Sequence, residues 1–363
     1  MQGAGSLAGW PAIFGANGSI AAPAAPMLRP PVWAARRMGF NVGTFRVARH
    51  QRAFFESLHE TGASLVRMFL EFRWDAAQAR YAMADDEWAA LPSVLQVLGA
   101  LNLQVVLVGD FESAVGASLW SDKSRKRAFI AAWEQTVRFL ANTPGTKAYD
   151  LLNEPNPPWS DGTERSARTA WRELAEQTLW AIRGRDTNST LIFEGVGGGK
   201  AVGLRHLEPF AVPGVVYSLH FYQPHAITHQ RVNPRWSRSI PYPTVVAADV
   251  EGTDASPGPW NAERLRAEVQ DVVTFQQQAD ARIFVGEFSC VRWAPGDSAL
   301  RYIQDCVDLF ADLGWSWCYH EFRGWPGWDS EVASQDPNFL RRSSNAPVMA
   351  MLRNAMTTSS TSS

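Results

Sequence analysis

The chain has 363 residues, 46% hydrophobic and 19% charged, with a formal net charge of −2. A length of this order buries a large core, while the near-balanced charge supplies no basic field to hold nucleic acid or an anionic membrane surface. No apolar run reaches the roughly 18 residues that span a bilayer, so a soluble protein with a neutral ligand is expected.

Residues 1–30 are rich in Gly, Ala and Pro and lack the basic start and apolar stretch of a signal peptide; they are expected to form an irregular segment. Beyond them, short runs rich in Val, Ile, Leu and Phe alternate with longer amphipathic segments, the pattern of parallel strands joined by crossover helices. Eight such runs fall near 38–43, 64–70, 103–109, 147–153, 190–195, 215–221, 282–288 and 314–320. The spacing predicts helices over 125–141, 164–183, 262–278 and 297–312. In the third, Leu265, Val269, Val272 and Val273 repeat at helical intervals after a cap at Asn261. Eight strands with intervening helices, and no Gly-x-Gly-x-x-Gly turn after the first, predict an α/β fold of the (β/α)8 TIM-barrel type. It occupies 31–355 as one catalytic domain, followed by a flexible Ser/Thr tail over 356–363.

The stretch 223–261 is the longest without regular periodicity and carries six prolines with Trp236 and Trp260. A loop of that length in a compact domain is usually functional, and its place after the sixth strand predicts ordered contact with substrate. The 16 tryptophans offer flat amphipathic faces suited to stacking on sugar rings as well as to core packing. Cys290, Cys306 and Cys318 each lie in or beside an apolar run and read as buried thiols, with a Cys290–Cys318 bridge open as an alternative. Gly195-Val196-Gly197-Gly198-Gly199-Lys200 lacks the spacing of a phosphate-binding loop and predicts a turn. The seven histidines show no metal-binding spacing, so neither a metal nor another cofactor is expected.

Two carboxylates end predicted strands: Glu154 in Leu151-Leu152-Asn153-Glu154-Pro155 and Glu287 in Val285-Gly286-Glu287-Phe288. Active sites of this architecture lie at the C-terminal ends of the strands. A carboxyl pair there is what glycosidic cleavage requires, one group to protonate the leaving oxygen and one to attack or to activate water. Asn153 places an amide beside Glu154, suited to hold a sugar hydroxyl as charge develops on the ring. Glu71, Asp110, Glu112, Glu194 and Glu321 also fall near strand ends, where any could line a sugar-binding subsite, and most are expected to be solvated loop charges.

With these residues the chain resembles glycoside hydrolase family 5, the cellulase-type members of a clan of retaining barrels. Leu152-Asn153-Glu154-Pro155 matches that family's acid/base motif on strand four, and Gly286-Glu287-Phe288 its nucleophile motif on strand seven. Arg67 in Leu65-Val66-Arg67-Met68-Phe69 matches the strand-two arginine, and His220-Phe221-Tyr222 the His-x-Tyr of strand six. The resemblance covers roughly 38–330. It implies that Arg67 and Tyr222 hold Glu287 ionised, that His220 tunes Glu154, and that carboxyls about 5–5.5 Å apart give a covalent glycosyl-enzyme and retention. Two departures stand out: strand three ends Asp110-Phe111-Glu112 where the family often has histidine, and His320 stands about where the family presents a tryptophan platform. Trp317, Trp325 or Trp328 is expected to supply that platform instead.

These observations predict a monomeric, secreted or periplasmic glycoside hydrolase acting on a polysaccharide or oligosaccharide, foremost an endo-β-1,4-glucanase. A β-mannanase, β-1,3-glucanase or xyloglucanase on the same scaffold is the alternative, since the resemblance implies mechanism better than sugar. An inactive carbohydrate-binding barrel is the alternative of another class.

Overall fold

A computed structural model describes residues 33, 35–42, 52–112, 117–145, 147–160, 163–247 and 256–358. The expected irregular segment 1–30 and residues 359–363 of the expected tail lie outside the described residues.

Eight strands run parallel: β1 (Met38–Val42), β2 (Leu65–Asp75), β3 (Gln104–Phe111), β4 (Lys147–Asp150), β5 (Thr190–Glu194), β6 (Val215–His220), β7 (Ile283–Phe288) and β8 (Ser316–Phe322). Each pairs with its neighbours in chain order, and β1 pairs with both β2 and β8, closing a (β/α)8 barrel. All eight predicted runs are strands, because side chains buried on both faces of a parallel sheet leave continuous apolar stretches. β2 extends further than expected, its last three residues pairing antiparallel with Arg80–Ala82.

The helices are α1 (Arg52–His59), α2 (Asp85–Ala100), α3 (Ala117–Ser121), α4 (Lys123–Phe139), α5 (Glu164–Arg183), α6 (His225–Thr228), α7 (Ala262–Glu268), α8 (Gln270–Ala279), α9 (Ser298–Asp312) and α10 (Pro347–Thr358). Asn261 caps α7 by accepting the Arg264 N–H at 3.0 Å. The single helix expected over 262–278 breaks at Val269 into α7 and α8. α10 runs to Thr358, so the segment expected as a tail from 356 begins as helix. The stretch 223–261 is built largely of short ordered pieces: α6, a 3-10 turn at Pro234–Trp236, and strands Thr244–Val246 and Gly258–Trp260, with 248–255 outside the described residues. Gln230 ties it together, donating to the Ile227 and Ile240 carbonyls and accepting the Ile240 N–H.

The barrel interior is layered. Leu65, Val106, Ala148, Ile192, Val216, Phe284 and Cys318 form an apolar plug with Trp33, whose ring meets Phe284 edge-on at 5.0 Å. Strand side chains alternate in direction, so the residues two further along these strands point inward too. Those positions are Arg67, Val108, Asp150, Glu194, Ser218, Gly286 and His320, and the layer above the plug is therefore mostly polar. The same parity turns Trp317 outward, where it is completely buried and packs edge-on against Phe288 at 5.4 Å. Trp317 is thus part of the wall between barrel and helices, where burying so large a side chain contributes on the order of 2–3 kcal/mol, and it presents no face to a sugar. Trp260 is likewise fully buried. Cys290, Cys306 and Cys318 are free, buried thiols, so the bridge between Cys290 and Cys318 is not formed.

Candidate active site

Arg67 is the centre of the polar layer. Its guanidinium, fully buried, donates to Glu287 Oε1 at 2.7 Å, Asn41 Oδ1 at 2.9 Å, Asn153 Oδ1 at 2.9 Å and Asp150 Oδ2 at 3.2 Å. Glu194 Oε2 lies 3.6 Å away. Burial alone would favour the neutral base, but Asp150, Glu287 and Glu194 outweigh it and raise the guanidinium further above its already high ordinary value. A buried charge survives only when paired, and this cation is paired several times over. Arg67→Met is therefore expected to cost about 3–5 kcal/mol, because three carboxyls then face one another without it. Denaturant unfolding at neutral pH should show a lower midpoint, and the difference should shrink in acid, where those carboxyls protonate. An unchanged midpoint would mean that the cluster does not depend on the guanidinium.

Glu287 sits at the end of β7 with its side chain only 7% exposed. Oε1 takes the Arg67 bond and Oε2 accepts from the Tyr222 hydroxyl at 2.8 Å. His320 Nδ1 and His220 Nδ1 stand 3.5 and 3.7 Å from Oε2. Burial pushes the carboxyl up, but His220, His320, Arg67 and the Tyr222 hydroxyl together hold it well below the ordinary carboxylate range. Glu287 is a shielded anion.

Glu154 is its opposite. Its side chain is 45% exposed, it follows β4 on a backbone with φ of 49°, and its Oε1 lies 2.9 Å from His220 Nδ1. One oxygen of Glu154, one of Glu287 and a nitrogen of His220 all lie within 4.8 Å of one another.

Asn153 sits half-buried beside them. Because arginine can only donate, the atom facing Arg67 is the amide oxygen, which leaves the Asn153 NH2 as the group available to a ligand.

The turn after β5 supports this corner. Gly197 and Gly198 donate their N–H groups to the Pro155 carbonyl at 3.0 and 3.3 Å, and Gly199 O accepts the His220 N–H at 2.7 Å. The glycine-rich turn therefore braces the Glu154 loop, and these amides are already engaged.

On the other side lies an aromatic wall. Trp328 meets His320 edge-on at 5.1 Å and Tyr222 at 6.1 Å, while Trp325, 37% exposed, packs against Trp328 at 4.7 Å. Trp236 stacks on His225 at 5.6 Å, and His225 in turn lies 6.2 Å from Tyr222. Trp236, Trp325, Trp328 and His320 are thus brought together beside the carboxylates, whereas Trp317 is not. At the end of β3, where a histidine is absent, the same parity turns the partly exposed Asp110 inward, while Phe111 faces the helices and stacks on Phe72 at 4.4 Å.

Three residues of the cluster were not expected. Asn41, Asp150 and Glu194 are completely buried, and Glu194 is not a solvated loop charge but accepts the Glu154 N–H at 3.0 Å. Glu321 is also buried and accepts the Trp325 N–H at 2.6 Å. Glu71, Asp110 and Glu112 remain at least partly exposed. A separate cavity of about 530 Å³ lies between α5 and the loop after β5, away from this cluster. Its Arg168 donates to the Val202, Gly203 and Arg205 carbonyls.

The model of the family Cellulase (glycosyl hydrolase family 5) matches residues 34–324. Over 246 residues the chain is 24% identical to endoglucanase C of Acetivibrio thermocellus, covering 62% of this chain and 67% of that protein. It is 26% identical over 148 residues to endoglucanase 3 of Fibrobacter succinogenes, covering 40% of this chain and 22% of that protein. Among solved structures, endoglucanase Cel5A of Thermotoga maritima superposes with a TM-score of 0.69 at 22% identity, over 87% of this chain and 96% of that one. Cellulose synthase subunit Z of Clostridioides difficile superposes with a TM-score of 0.70 at 16% identity, over 87% and 99%.

Proposed function

The chain belongs to glycosyl hydrolase family 5, the cellulase family, and from that membership we propose a retaining endo-β-1,4-glucanase in which Glu154 is acid/base and Glu287 is nucleophile. The observation that carries this reading is the contrast between two carboxyls within 4.8 Å, one shielded and ionised, the other open to solvent. Inverting enzymes hold their carboxyls about 6.5–9.5 Å apart to fit a water, so this spacing favours direct attack.

In the first step an oxygen of Glu287 bonds to the anomeric carbon as the glycosidic C–O bond breaks, and the Glu154 proton goes to the leaving oxygen. In the second, Glu154 takes a proton from water while the water oxygen displaces Glu287 from the same carbon. Arg67 and Tyr222 hold Glu287 as an anion before attack and as a leaving group afterwards. The free NH2 of Asn153 is placed to donate to the sugar 2-hydroxyl, a bond that strengthens as the ring becomes oxocarbenium-like. The aromatic wall of Trp236, Trp325 and Trp328 is suited to stacking on neighbouring sugars. Membership in this family and the intact carboxyl pair speak against an inactive binding barrel.

A β-mannanase is the second reading. The Thermotoga Cel5A fold has been solved with both cellobiose and mannotriose, and here His320 occupies a position facing the nucleophile. Among the described residues no helix is long and apolar enough to cross a membrane. Action as a monomer on polymer outside the cytoplasm accords with a substrate of that size.

Incubation with carboxymethyl cellulose, mixed-linkage glucan, xyloglucan, mannan and xylan tests the proposal. Cleavage of the β-1,4-glucans is expected, with NMR showing the β-anomer as the first-formed product. Activity confined to mannan would overturn the glucanase reading, and a first-formed α-anomer would remove Glu287 from its role as nucleophile.

A further inference from the structure

Glu194 has no part in the steps above, yet its carboxyl touches both the backbone of Glu154 and the ring that faces the Glu154 side chain. Building on the acid/base role of Glu154, we infer that Glu194 is a positioning residue that fixes the Glu154 backbone and keeps His220 a charged donor to the Glu154 carboxyl through both half-reactions.

Glu194 ends β5 with no exposure to solvent. Its Oε1 accepts the N–H of Glu154, the residue held at φ of 49°. A left-handed backbone is unfavourable for a non-glycine residue, and a bond to a charged acceptor offsets that cost. Its Oε2 lies 3.3 Å from His220 Nε2 and 3.6 Å from Arg67. The room for this carboxyl is made by Gly199, where an added Cβ would meet Glu194 Oε1 at 2.3 Å and the His220 ring at 3.1 Å. His220 thus stands between two carboxyls, in ion-pair range of Glu194 at Nε2 and 2.9 Å from Glu154 at Nδ1.

The groups around the ring come from several strands: Glu154 from the loop after β4, Asp150 from β4, Glu194 from β5, Ser218 and Tyr222 from β6 and its extension, and Glu287 from β7. Arg67 on β2 and His320 on β8 complete the set. Burial disfavours the imidazolium, but Glu194, Glu287 and Glu154 outweigh it and raise His220 well above the ordinary histidine value. An imidazolium donating at Nδ1 occupies Glu154 Oε1 and leaves Oε2 for the substrate oxygen. It also stabilises the carboxylate that Glu154 becomes after giving up its proton.

Glu194→Gln removes the charge while keeping an amide oxygen for the Glu154 N–H. Taking one anion from a coupled set makes the remaining protons easier to lose, so the His220–Glu154 pair should deprotonate at lower pH. The basic limb of kcat/KM is expected to move down by about one pH unit, which above the limb is roughly a tenfold loss beyond any loss at the optimum. Histidine labelled with 15N should show the His220 imidazolium persisting in the wild type over a range in which it titrates in Glu194→Gln. Glu194→Asp, which keeps the charge, should retain the wild-type basic limb even if kcat falls. A loss of activity equal at every pH, with His220 titrating alike in wild type and Glu194→Gln, would overturn the inference and leave Glu194 a structural acceptor only. Because the NMR titration needs no substrate, it reads this role even if no glycan is turned over, which would instead count against the proposed function.

Discussion

Glu287→Gln is expected to abolish turnover, with kcat falling by at least ~10⁴-fold, the scale on which removing a nucleophile acts in enzymes that pass through a covalent intermediate. The protein should still fold. A glutamine fills the same volume, its amide oxygen can accept from Arg67, and Arg67 keeps Asp150 and Asn41 as partners. What is lost is the anion that Arg67, His220, His320 and Tyr222 are arranged to hold. A cooperative unfolding transition at a lowered melting temperature, since the anion these groups stabilise is gone, with no product on carboxymethyl cellulose, is the expected result. Residual kcat within tenfold of the wild type would remove Glu287 from the mechanism, since an amide at this position forms no glycosyl ester that water can hydrolyse.

The barrel was legible because all eight strands are buried on both faces, which writes them as continuous apolar runs. α1 and α2 were not, and α2 carries Pro92 and Gly99 inside its span, which blur its helical signal. In the site, Arg67, Glu154, His220, Tyr222 and Glu287, each carried by a motif visible in the sequence, lie within hydrogen-bond reach of another member. Asn41, Asp150 and Glu194 are less legible, because a polar residue at the end of an apolar run looks like the start of a solvated loop. Pleat parity separates the two cases. Asp150 lies two residues beyond Ala148, and Glu194 two beyond Ile192, both members of the inner plug. The same count places His320 inward from Cys318 and turns Trp317 outward. What no parity rule supplies is how the loops fold over the site: Trp236, Trp325 and Trp328 stand out in the sequence as candidates, but only the folded loops bring them beside Tyr222 and His320.

Glu154→Gln should separate the two half-reactions. The amide has no proton acidic enough to give to a leaving oxygen, so hydrolysis of a glucan, whose leaving group is an alkoxide, is expected to fall by about 10²–10⁴-fold, the usual range for general acid catalysis. An aryl glycoside with an acidic phenol leaves without that proton, and Glu287, still held ionised by Arg67 and Tyr222, attacks it. The second step then stalls, because nothing takes the proton from water. The variant should show a rapid burst of phenol followed by slow turnover, and a glycosyl-enzyme should accumulate in the mass spectrum. Azide, which attacks as an anion and needs no base, should restore turnover and give a β-glycosyl azide. Equal loss on the polymer and on the aryl substrate, with no burst and no rescue by azide, would show that Glu154 is not the acid/base. The half-exposed setting of Glu154 favours the expected pattern, because water and azide reach this side of the sugar freely, whereas the buried nucleophile admits neither.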